Sequence, residues 1–204
     1  SATVHFPIWH QEIEDILVLK NNKGTEDNRV RKLDYSIQIS KLFYERFITS
    51  EDISLFSPHD VPGLYDAFGT DGFDELYRQY ESDQTIPRKT IAAQELILDL
   101  LKERAETGRI YIMNIDHCNE HSSFKDKVNM SNLCQEITLP TDPIQHIDGD
   151  GEIALCILSA INVGKLRNLD EMEELCDLAV RALDELIDYQ GYPVEAARIS
   201  TLAR

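Results

Sequence analysis

The chain has 204 residues, 42% of them hydrophobic, enough for one ordinary domain with a sizeable core, and its alternating strand-like and helix-like segments indicate an α/β class. Twenty basic against 37 acidic residues leave a net charge of −17, which disfavours direct DNA binding and attachment to an anionic membrane surface. No charged start leads into an apolar signal core, no apolar run is long enough to span a bilayer, and the cysteines at 118, 134, 156 and 176 have neither zinc-like nor disulfide-framework spacing; a cytoplasmic, reducing setting is expected.

Ser1-Ala-Thr-Val-His-Phe-Pro7 starts abruptly, without an initiator Met, and reads as a cut end. Ile8, Trp9, Ile13, Ile16 and Leu17 recur at near-helical spacing, so a helix is expected over 8–19, stopping in Asn21-Asn-Lys-Gly24. Lys20, Lys23, Arg29, Arg31 and Lys32 form the only basic cluster. A solvated loop is the main reading of it, and an anion or partner contact the minority one. Residues 33–39 alternate in the strand period, and 41–48 follow as a short helix with Leu42, Phe43 and Phe47 inward. Residues 53–56 are another short strand, and Ser57-Pro-His-Asp60 turns the chain towards Leu64 and Phe68. Gly69 to Gly72 then break it before a helical stretch over 73–80.

Pro87 sits near the first turn of the clearest helix so far, expected over 89–106, with Ile91, Leu98 and Leu101 along its stripe and Gly108 as its stop. Residues 109–113 read as a compact strand, and 116–130 as a polar loop. Asp116, His117, Cys118 and His121 carry metal-binding groups, yet no second half of suitable spacing follows, and a hydrogen-bonded loop is expected. Asp148-Gly-Asp-Gly-Glu152 lacks the ligand ladder of a calcium loop and reads as a turn. Residues 152–161 are apolar enough for a buried strand containing Cys156. Asn168 and Glu171 form a capping signal for a long helix to about Tyr189. Its stripe of Met172, Leu175, Cys176, Ala179, Leu183 and Leu186 accounts for Cys176 as core. No repeat or linker divides the chain, so residues 1–204 read as a single domain fragment.

Ser131-Asn-Leu-Cys-Gln-Glu-Ile137 stands apart. In an extended segment Asn132, Cys134 and Glu136 would share one side, with Leu133 and Ile137 available for the other. An amide, a thiol and a carboxylate in a row make poor core, because buried polar atoms need partners. A lone cysteine is usually structural. Its polar neighbours at plus and minus two argue otherwise here.

Asn-x-Cys-x-Glu within this run resembles the catalytic motif of the large subunit of ribonucleotide reductase. Phe6-Pro-Ile-Trp-His10, Leu17-Val-Leu-Lys-Asn-Asn-Lys-Gly24 with Asn28-Arg-Val-Arg31, Leu55-Phe-Ser-Pro58 with Val61-Pro-Gly-Leu-Tyr65, Thr107-Gly-Arg-Ile-Tyr111 with Asn114-Ile-Asp-His-Cys118, and Gly151-Glu-Ile-Ala-Leu-Cys156 are similar to the aerobic, two-subunit class I enzyme in the same order. The resemblance covers nearly all of the chain and the middle of a much longer family chain. It implies a fragment of a ten-stranded α/β barrel, with the motif on a loop threaded into its centre. A straight strand would hold Asn132 and Glu136 about 13 Å apart, too far to grip one ribose, so the segment has to bend.

The resemblance also implies roles. Cys134 would become a thiyl radical and remove the 3′ hydrogen atom of the ribose. Glu136 would take the 3′ hydroxyl proton, and Asn132 would hold the sugar hydroxyls and steady Glu136. Cys156 would be one of two cysteines that are oxidised to a disulfide as the 2′ hydroxyl leaves as water; its partner would lie upstream of Ser1. The substrate would be a ribonucleoside diphosphate. The radical would come from a metal-containing small subunit and the reducing equivalents from thioredoxin or glutaredoxin. Nucleotide effectors would bind elsewhere in a homodimeric large subunit, and this chain alone would have no turnover. The competing expectation is a non-enzymatic acidic interaction or regulatory module of the same ancestry.

Overall fold

The structure is a computed structural model that describes residues 3–23, 25–146, 151–153 and 155–203. In chain order the elements are β1 (Thr3–Pro7), α1 (Ile13–Leu17), β2 (Asp34–Ile39), α2 (Lys41–Thr49), β3 (Asp52–Leu55), α3 (Leu64–Ala67), α4 (Phe73–Ser82), β4 (Lys89–Ala92), α5 (Ala93–Thr107), β5 (Ile110–Asn114), α6 (Ile115–Glu120), α7 (Asp170–Tyr189) and α8 (Glu195–Ala203). They fall into two compact units, one ending at Thr138 and one beginning at Leu139.

In the first unit β1, β2 and β5 form a parallel sheet in the order β1-β2-β5. Parallel neighbours need long crossovers, which here carry α1 and then α2 to α5. The alternation along β2 separates two faces. Tyr35, Ile37 and Ile39 are buried in the hydrophobic core, whereas Ser36 and Gln38 are equally buried on the opposite face. His5 pairs with Ser36 and Met113 with Gln38, so both belong to that second, more polar face.

The core beside the first face is aromatic. Phe43 of α2 meets Tyr77 of α4 edge-on at 5.4 Å between ring centroids and Phe68 at 6.3 Å, and such pairs add about 0.5–1.5 kcal/mol beyond burial. The Tyr77 hydroxyl donates to the Ser54 carbonyl at 2.7 Å and accepts the Ser54 N–H at 2.9 Å, tying α4 to β3. Burial holds its phenol well above the ordinary tyrosine range. Arg46 of α2 lies 5.1 Å over the Tyr77 ring and donates to both oxygens of Glu81, at 2.7 and 2.5 Å.

The helix expected over 8–19 is shorter, α1 alone, and is preceded by β1. Residues 9–11 spend their backbone groups elsewhere: the Phe56 N–H donates to Trp9 O at 2.8 Å and the Gln11 N–H to Phe56 O at 2.9 Å. Tertiary pairing thus overrides the helical spacing of buried Ile8 and Trp9. Gly24, the expected stop, lies outside the described residues, as do Ser1 and Ala2. The helix expected from residue 89 begins at Ala93, because Lys89–Ala92 pair antiparallel with β3. Its buried face is Ala93, Leu96, Ile97 and Leu100, and Leu98 and Leu101 are exposed. Gly108 ends it with φ 63°. The expected loop over 116–130 contains α6.

In the second unit the capping signal forms: Asn168 Oδ1 accepts the Glu171 N–H at 3.1 Å and the Glu171 carboxylate accepts the Arg167 N–H at 3.0 Å. The helix it starts runs to Tyr189, but no residue of α7 is buried, and Cys176 is exposed rather than core. Periodicity specifies an apolar stripe without specifying what covers it. Of the buried strand expected over 152–161, the described residues 152–153 and 155–161 are irregular backbone, with Leu155 and Leu158 exposed and Cys156 half-buried. The turn read at Asp148–Glu152 lies outside the described residues over 148–150. Among the described residues no helix is long and apolar enough to cross a membrane.

Candidate active site

Residues 131–137 are a closed loop and not a strand. The Gln135 N–H donates to Asn132 O at 3.1 Å, making a turn across Leu133 and Cys134. Gln135 then adopts φ 64°, a left-handed conformation that costs a non-glycine residue about 1–2 kcal/mol. This kink returns the chain on itself. The Asn132 N–H donates to Ile137 O at 3.3 Å, and Asn132 Oδ1 accepts the Ile137 N–H at 3.0 Å. The Ser131 hydroxyl reaches the same Ile137 carbonyl at 2.5 Å.

The shared facing expected of the three polar residues is therefore corrected. Asn132 is buried at the loop's base, while Cys134 and Glu136 are exposed. The reason is the turn, which replaces the two-residue period with a reversal between positions 132 and 137. Cys156 belongs to the second unit, in irregular chain.

The loop rests on the polar face of the sheet. Gln38 Nε2 donates to Asn129 O at 2.6 Å, the Ser131 N–H points to His5 Nε2 at 3.4 Å, and Thr3 Oγ1 donates to Leu133 O at 2.7 Å. Further along, Gln135 Nε2 donates to Ile112 O of β5 at 2.8 Å. Burial lowers the His5 pKa, and the neutral imidazole that burial favours can accept at Nε2. Sequence reasoning passed over His5, Gln38 and Gln135. No sequence signal marks them: that the polar half of the β2 alternation is as buried as its apolar half is visible only in the structure.

Beside the loop, a cavity of about 310 Å³ is lined by Ile112, Met113, Asn114, His117, Cys118, Gln135 and Thr138. Burial, then the nearby Asp116 charge, raise the Cys118 pKa and keep it a thiol. Asp116 itself caps helices, accepting the Lys41 N–H of α2 at 2.5 Å and the His117 N–H at 2.9 Å. The basic cluster is largely matched internally: Lys20 pairs with Asp34 at 2.6 Å, Lys23 with Glu106 at 2.9 Å and Arg31 with Glu26 at 2.5 Å.

Residues 1–204 match the family model described as ribonucleotide reductase, barrel domain. The chain is 60% identical, over its whole length and 28% of the relative's, to the ribonucleoside-diphosphate reductase subunit alpha of Haemophilus influenzae. It is 46% identical to the protein of the same name from Enterobacteria phage T4, over 97% of this chain and 27% of the relative. It is 56% identical to the ribonucleoside-diphosphate reductase 1 subunit alpha of Escherichia coli, over 71% of this chain and 20% of the relative. The chain thus spans little more than a quarter of the first of these proteins.

Proposed function

The chain belongs to the ribonucleotide reductase barrel-domain family, and we propose on that footing that it carries the reacting groups by which a longer large subunit reduces ribonucleoside diphosphates to deoxyribonucleotides for DNA synthesis. The observation that carries this reading is the loop: a thiol and a carboxylate two residues apart are exposed on a turn whose base is buried and hydrogen-bonded.

In this reading Cys134, once oxidised to a thiyl radical, forms an S–H bond with the 3′ hydrogen of the ribose and leaves a carbon radical. Glu136 accepts the 3′ hydroxyl proton, which requires a carboxylate within hydrogen-bond reach. Asn132 braces the loop through Ile137 and orients the sugar hydroxyls and Glu136. Cys156 and a second cysteine outside this chain give up two electrons and two protons and become a disulfide: one proton leaves with the 2′ hydroxyl as water, the other ends in the new C2′–H bond, and Glu136 returns its proton to the 3′ oxygen. The 3′ hydrogen then returns from Cys134.

The radical arrives from a metal-containing small subunit. Thioredoxin or glutaredoxin restores the dithiol, nucleotide effectors bind elsewhere in the large subunit, and two large subunits associate. The setting is the cytoplasm, and residues 1–204 act as one piece of the catalytic barrel. The relatives' names do not favour a non-enzymatic module.

The test is reduction of a ribonucleoside diphosphate by the full-length large subunit with its small subunit and a dithiol reductant. Wild type should form product, Cys134→Ser should form none, and the 204-residue chain alone should form none. Turnover by Cys134→Ser would overturn the assignment.

A further inference from the structure

The loop that carries Cys134 does not hold its own place. Its base at Asn129 is fixed from β2, where the Gln38 amide donates to the Asn129 carbonyl at 2.6 Å across 91 positions of sequence. Gln38 is 1% exposed. Because its partner is a carbonyl oxygen, the atom facing Asn129 is the nitrogen, and Oε1 faces the other way. Among the described residues that oxygen has no hydrogen-bond partner. A buried, unsatisfied acceptor costs about 1–3 kcal/mol, so a hydrocarbon side chain here would be cheaper for folding alone. Gln38 lies against Met113 on the same face, its Nε2 3.8 Å from the sulfur, which shows that a thioether-sized apolar neighbour is accommodated.

The geometry points to Gln38 as a positioning residue for the proposed reaction: it ties the start of the catalytic loop to the central strand, and so sets how far Cys134 projects. This rests on the functional reading above. Gln38 acts through Asn129 and the turn beyond it, and touches no reacting atom. Ser36 and His5, on the same face, each keep one buried polar atom without a partner among the described residues, Oγ and Nδ1. Of the three side chains, Gln38 has the short bond to the loop, and the His5 bond is long at 3.4 Å.

The experiment uses the full-length large subunit with its small subunit and compares wild type with Gln38→Met and Gln38→Glu. Gln38→Met keeps side-chain length and removes the donor. It should lower kcat about tenfold with KM changed less than about twofold, as expected when an interaction matters only as the transition state is reached. The deuterium isotope effect with 3′-deuterated substrate should rise, because hydrogen transfer has become slower. Amide exchange should accelerate over residues 129–137 and not over α5. Gln38→Glu tests the same bond if the methionine variant folds poorly. Its carboxyl, pushed up by burial, donates to Asn129 O only when protonated, so the ratio of its kcat to that of wild type should increase as pH falls.

Wild-type kcat, isotope effect and loop exchange in Gln38→Met would overturn the inference. So would a kcat loss that follows the folded fraction with the isotope effect unchanged, or, for Gln38→Glu, a ratio that does not move with pH. Turnover by Cys134→Ser in the same assay would instead overturn the functional reading beneath it.

Discussion

Asn132 Oδ1 accepts the Ile137 N–H at 3.0 Å, so the residue at which the loop turns away from the sheet is also the one that closes it. Removing that acceptor should loosen the loop without unfolding the sheet. Asn132→Ala leaves the Ile137 N–H without its partner, at a cost of about 1–3 kcal/mol, and should speed hydrogen exchange at Ile137 by roughly 10-fold or more. Asn132→Asp keeps an oxygen at the same place and should keep most of the protection. Equal exchange at Ile137 in Asn132→Ala and wild type would show that the side chain does not hold the turn.

His5 gives the fold a pH dependence. Its folded-state pKa lies below the ordinary histidine value of 6.5 because burial penalises the charged form. The unfolded chain therefore binds a proton first as pH falls. Stability from His5 is complete above about pH 6.5 and is lost as pH drops from there through the depressed folded value. His10, also lowered by burial and partly restored by the Glu12 charge, adds in the same direction. The urea midpoint should fall between pH 7.5 and pH 5.5, and His5→Phe should reduce that fall. An unchanged difference in His5→Phe would assign it elsewhere.

Two glycines with positive φ separate strain from crowding. Gly108, at φ 63°, has open space where a Cβ would stand, so Gly108→Ala should cost only the left-handed conformation, about 1–2 kcal/mol. At Gly69, φ 87°, a Cβ would lie 2.7 Å from Ile115 Cγ1 and 3.2 Å from the Ile115 carbonyl. Gly69→Ala should cost more, by about a further 1–3 kcal/mol of overpacking. Thermal unfolding of the two variants should rank them in that order, and a reversed order would mean that α6 yields at Ile115.

Much of this was legible in the residues. The alternation of 33–39 gives β2, the glycine at 108 gives the end of α5, and Asn168 with Glu171 gives the start of α7, because each depends on local geometry. The errors occur where distant backbone decides. Trp9 and Gln11 bond to Phe56, and Lys89–Ala92 bond to β3, so helix-like spacing was misleading at both places. At residues 131–137 the two-residue period was misleading, since a turn places Asn132 inside and Cys134 and Glu136 outside. The residues that seat the loop, His5 and Gln38, come from strands about 90 or more positions away, and no local pattern marks that contact.

β1 and β5 are the outer strands of the parallel sheet, and among the described residues neither has a strand on its far side. An outer strand offers a row of unmatched N–H and C=O groups to any backbone of the right direction. Each margin can therefore accept one further strand by main-chain bonding, and a proline placed along it would remove a donor from that row and prevent such an addition.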